Sequence, residues 1–156
     1  MRFRALLVCA FALALPSPAA ATIEKDGIAG VRLFMSPKQV WAARGRPDHV
    51  VNRSQWRIGY LPLVYVYRRP RLSVVFLLGG KRLSVWSVAT TDPAERTRTG
   101  VGVGDRESRV RTYAPYCRSE RRRRFCSTTN EGGGGGTFFE LRRGRAVRVT
   151  VNAAVF

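Results

Sequence analysis

One histidine, ten acidic side chains and three cysteines are all that this 156-residue chain offers to acid–base, metal or thiol chemistry. No His, Cys or carboxylate cluster has metal-ligand spacing and no C-x-x-C pair occurs, so neither a metal site nor a cofactor is expected. The histidine, His49, follows Asp48 in a turn-like Arg46-Pro47-Asp48-His49 stretch. Sequence neighbours point in divergent directions and no nucleophile accompanies them, so the chain reads as a non-enzyme. Long apolar runs are also missing. Ala5–Leu15 is about 11 residues and Leu61–Leu78 is cut by Arg68-Arg69-Pro70-Arg71, whereas a membrane-spanning helix needs roughly 20. Nucleotide grammar is absent from both glycine clusters. Gly100–Gly104 is followed by Asp105 where a dinucleotide fingerprint needs glycine, and a carboxylate there repels pyrophosphate. Gly132–Gly136 lacks a following Gly-Lys-Ser/Thr and reads as a flexible hairpin or loop.

What is present is a globular composition with a large excess of positive charge. Hydrophobic residues make up 45% of the chain, with 8 Phe, 5 Tyr and 3 Trp, which excludes wholesale disorder. The formal net charge is +18, carried almost entirely by arginine. Residues 1–21, MRFRALLVCAFALALPSPAAA, have the three parts of a cleavable export signal: basic Arg2 and Arg4, an apolar core, and small residues Ala19-Ala20-Ala21. The mature protein is therefore expected to be secreted, periplasmic or otherwise associated with the cell envelope. Cys9 leaves with the signal, and Cys117 and Cys126 remain as an even pair in an oxidising compartment. They are expected to form a structural disulfide, which closes a loop of about ten residues and stabilises the fold by roughly 2.5–3 kcal/mol.

An internal echo organises the rest. Val31 through Val40 aligns without gaps on Val101 through Val110: each segment starts with an apolar-x-apolar step, reaches a helix start, and approaches a proline, Pro47 or Pro115. In the first copy Ser36 reads as an N-cap, Pro37 as N1 and Gln39 as the capping-box partner, with Gly45 as the stop. In the second, Asp105 reads as the cap and the helix ends before Ala114-Pro115. Strand-like runs follow at Gln55–Tyr60, Leu63–Tyr67, Leu72–Leu78 and Arg82–Val88, then at Thr137–Leu141 and Ala146–Val151. The reading is an α+β fold of two tandem units, residues 22–95 and 96–156, joined by the polar Thr90–Thr99. Each unit is a short helix packed on an antiparallel meander, so each sheet has one covered and one open face.

The stretch Gly30-Val31-Arg32-Leu33-x-Met35-Ser36-Pro37-x-x-Val40, with Gly45-x-Pro47 beyond it, resembles the opening motif of the SmpA/OmlA (BamE-like) domain family. The tandem arrangement is similar to that of the β-lactamase inhibitor protein family. The resemblance implies a binding or scaffolding role on a concave sheet. Phe34 stands where the motif usually has glycine. The lipid-attachment cysteine is missing, so anchoring does not carry over, and neither does inhibition of a β-lactamase.

Two groups of side chains are candidates for partner contact. Tyr65 and Tyr67 share a strand face with Trp86 nearby on the first sheet, and aromatics and arginine dominate interface hot spots. Arg121, Arg122, Arg123 and Arg124 lie between the cysteines, where guanidinium forks suit phosphate or carboxylate. The expected function is an exported, non-catalytic module that binds a protein or cell-envelope partner through an open sheet face. The alternative is a cationic protein whose Arg-rich loop binds an anionic envelope polymer, lipid or nucleic acid, with export disfavouring nucleic acid.

Overall fold

The computed structural model describes residues 22–52, 63–79, 81–120, 123–130 and 135–154. The expected signal at 1–21, the strand at Gln55–Tyr60, Arg121, Arg122 and most of the Gly132–Gly136 run lie outside the described residues. In chain order the elements are β1 (Ile23–Glu24), β2 (Gly27–Ile28), β3 (Val31–Arg32), α1 (Pro37–Arg44), β4 (His49–Asn52), β5 (Leu63–Tyr67), β6 (Leu72–Gly79) and β7 (Arg82–Thr90). There follow α2 (Glu107–Tyr113), β8 (Tyr116–Glu120), β9 (Arg123–Ser127), β10 (Gly136–Arg142) and β11 (Arg145–Asn152).

Helix α1 starts as its sequence dictates. The Ser36 side chain accepts from the Gln39 N–H, the Gln39 side chain accepts from the Ser36 N–H, and Pro37 occupies the first turn, where no N–H is needed. Gly45, at φ 77°, ends the helix and donates its N–H to the Trp41 carbonyl. Helix α2 differs from expectation: its N-cap is Arg106, which makes no side-chain cap bond. Asp105 instead accepts from the Gly102 N–H and pairs with Arg96 at 2.9 Å and Arg109 at 3.5 Å, so its carboxylate braces the turn before the helix.

Among the described residues the main sheet has eight strands in the order β4-β5-β6-β7-β11-β10-β9-β8, with every neighbouring pair antiparallel. Its register places Tyr67, Leu72, Thr90, Val149, Phe139, Cys126 and Cys117 in one row that faces the core. Both helices lie over this face. Trp41 of α1 stacks on Tyr65 with centroids 6.3 Å apart, and Tyr113 of α2 meets Phe139 edge-on at 5.9 Å. The three-stranded sheet β1-β2-β3 packs on the same side, where Ile23, Ile28 and Val31 join the same hydrophobic cluster. The chain after β3 is tied to β7 by Phe34 N–H to Val85 O and Val85 N–H to Met35 O, each 2.8 Å.

Two expectations are corrected here. The fold is mainly β, not two tandem α+β units: the β7–β11 pairing, from Val149↔Thr90 to Asn152↔Ser87, fuses all eight strands into one sheet over one core. The echo that suggested a repeat has a simpler cause. Val31, Val40, Val101 and Val110 are all buried, so the matching spacing reports apolar positions that must face a common core. The basic stretch between the cysteines, read as a loop, is a hairpin of β8 and β9 with Cys117 directly opposite Cys126. His49–Asn52 and β1 to β3 were not foreseen as strands.

Candidate functional site

Strand alternation sends every second side chain to the face away from the helices. A single row across all eight strands reads His49, Val66, Ser73, Ala89, Thr150, Phe138, Ser127 and Tyr116. The row beyond it continues through Arg148, Glu140, Phe125 and Arg118. None of these residues belongs to the hydrophobic cluster under the helices, and α1, α2 and the three-stranded sheet pack on the other face. Along the two rows His49, Tyr116, Arg118 and Arg148 are exposed, Ala89 and Ser127 are buried, and the others are half-buried. The centre of this face is small and hydroxylated, and its β8–β10 end carries three aromatic rings, Tyr116, Phe125 and Phe138. Tyr116 is 46% exposed.

The residues singled out from sequence fall in different places. Tyr65 and Tyr67 point into the core and are 5% exposed each. Burial raises both phenol pKa values above 10; Tyr67 is raised further by Tyr65 and lowered somewhat by Arg44, and its hydroxyl donates to the Gly45 carbonyl at 3.2 Å. Trp86 is the extra residue of a β-bulge opposite Val75 and Phe76, half-buried and outside the regular alternation. Arg123 faces outward and pairs with Glu140 at 3.6 Å. Arg124 faces the helices, where its guanidinium meets Glu107 at 2.7 Å. The aromatics brought together on the face away from the helices, Phe125 and Phe138, were missed. The signal was there: each directly precedes a core residue, Cys126 or Phe139, so alternation turns it outward once the strands are known.

Two shallow clefts lie along this face among the described residues. One, of about 300 Å³, lies between Tyr116, Arg118, Ser127 and Phe138. The other, of about 340 Å³, is lined by Arg68, Arg71, Ser73, Ala89, Thr91 and Arg148, among others. Glu107, Cys117 and Cys126 gather their donor atoms within 4.8 Å, but the cysteines are joined in a disulfide and offer no thiolate to an ion. Asp48 and His49 do not form an acid–base pair. Asp48 accepts the Arg68 N–H at 2.7 Å, and His49 Nε2 accepts from the Arg68 guanidinium at 2.9 Å.

No protein-family model matches the chain, and no curated protein matches it. The resemblance to the SmpA/OmlA family is thereby corrected: it rested on a short helix-start pattern that many capped helices share. Among solved structures, the chain is similar to the crystal structure of an extracellular protein containing a SCP domain from Bacillus anthracis, with a TM-score of 0.48 and 11% identity. That alignment covers 94% of this chain and 50% of the other, so the chain spans about half the neighbour's length. Among the described residues no helix is long and apolar enough to cross a membrane.

Proposed function

We propose that the chain is an exported, non-catalytic binding module that holds a protein or cell-envelope partner on the uncovered face of its eight-stranded sheet. One observation carries this reading: α1, α2 and the three-stranded sheet all pack on one face, and the opposite face carries the exposed Tyr116 beside the half-buried Phe125 and Phe138. A broad sheet normally covers such rings or uses them. The Cys117–Cys126 disulfide supports export, because such bonds persist in oxidising compartments. The Arg-rich hairpin is the weaker contact site, since Arg123 and Arg124 already have carboxylate partners.

The test is capture from the envelope fraction of the producing cell at moderate salt, comparing the native chain with a Phe125→Ser/Phe138→Ser variant. Truncating interface aromatics costs about 2 kcal/mol or more, so the variant should bind at least about thirtyfold more weakly while its melting curve stays close to that of the native chain. Capture that ignores the aromatic changes but collapses with added salt would replace this reading with the electrostatic one.

A further inference from the structure

We propose that the cleft at the β5–β6 end of the open face is a binding site for a phosphate monoester group, held chiefly by Arg71 and Arg148. The register builds the site. Leu72, Thr90 and Val149 are core residues aligned across β6, β7 and β11, so Arg71, Thr91 and Arg148, their sequence neighbours, fall outward in the adjoining row. The Thr91 N–H donates to the Arg71 carbonyl at 3.1 Å, which locks the first two together. Arg71 and Arg148 thus stand two strand spacings apart, about 10 Å, with only a threonine between them. Ser73 and Ala89 form the floor. Small residues between two long cationic ones leave the notch of about 340 Å³.

Charge decides what the notch takes. No acidic residue lines it, and among the described residues no carboxylate lies within 4.0 Å of the guanidinium of Arg68, Arg71 or Arg148. Glu140 is opposite Arg148 in the register, yet it pairs with Arg123 instead. Arg68 closes the third side, steadied by Asp48 on its backbone and His49 on its guanidinium. A carboxylate has two oxygens and one charge, which a single guanidinium fork satisfies. A phosphate monoester has three terminal oxygens and nearly two charges, and so can engage two or three forks with the Thr91 hydroxyl as a further donor.

This inference rests on reading the bare face as a docking surface, and gives that partner a chemistry: it carries phosphate. The experiment is titration of the full chain with glycerol 3-phosphate at constant ionic strength, followed by calorimetry and by amide shifts in the NMR spectrum. The expected result is saturable binding with shifts centred on Ser73 and Thr91. Affinity should fall at least tenfold in Arg71→Gln and Arg148→Gln, and change less than twofold in Arg142→Gln, an exposed arginine elsewhere on the sheet. Equal weakening in all three variants, equal binding of acetate, or no saturable binding would overturn it. The Phe125→Ser/Phe138→Ser variant separates the two readings. Loss of envelope capture alone supports both. Native envelope capture without phosphate binding sinks only the cleft, and phosphate binding without any capture sinks only the docking surface.

Discussion

Phe34 holds a backbone conformation that its side chain disfavours. Its φ is 67°, in the left-handed region, and its ring is 64% exposed. The conformation is imposed by its neighbours, because Phe34 and Met35 must both reach the backbone of Val85. A β-carbon in that region costs roughly 1–2 kcal/mol, while glycine loses more entropy on folding. Phe34→Gly should therefore stabilise the protein by about 0.5–1 kcal/mol, measured by urea denaturation; a loss of stability would show that the ring packs better than its exposure implies. Tyr65 and Tyr67 make a second prediction. Burial raises both pKa values in the folded chain, so their contribution to stability is complete below pH 10 and is lost as pH rises through the raised values. The melting temperature should fall above pH 10, and Tyr67→Phe should flatten that fall while costing about 1 kcal/mol at neutral pH for the lost bond to Gly45.

Single elements depend on a few contacts each. Helix α1 has only eight residues, too short to persist unaided, and its capping box orders the first turn. Ser36→Ala should cost about 1 kcal/mol in denaturant titrations. The β8–β9 hairpin is the outer edge of the sheet, joined to the rest through β10 and the Arg124–Glu107 ion pair, while the disulfide ties its two strands to each other. Replacing both cysteines with serine should cost about 2–3 kcal/mol, with early loss of amide protection confined to β8 and β9. At this scale the sequence was readable where local chemistry decides. Ser36, Pro37, Gln39 and Gly45 fixed α1, and alternating apolar residues fixed β5, β6, β7, β10 and β11. It was unreadable where pairing decides. Arg123 and Arg124 have no strand-like composition, and they extend where β9 pairs along β10. Asp105 looks like a cap, yet its carboxylate is taken by the Gly102 N–H in the preceding turn and by the guanidinium groups of Arg96 and Arg109.

The whole molecule turns on the β7–β11 seam, which nothing in the local sequence announces. Apolar positions on either side of it look like two cores, and only the cross-strand register shows them to be one. The inward rows were legible as apolar; which aromatics face outward was not, because Tyr65 and Phe138 cannot be assigned a face before register is known. One core predicts one unfolding transition: Trp fluorescence and circular dichroism should report the same urea midpoint, and two separated midpoints would contradict the continuous sheet. The bare face itself is tested most directly by photo-cross-linking in the producing cell. A photoreactive residue at position 138, on the side away from the helices, should give a discrete adduct that is absent when the residue is placed at position 42, on the exposed side of α1. Adducts from position 42 alone, or equally from both, would contradict the account.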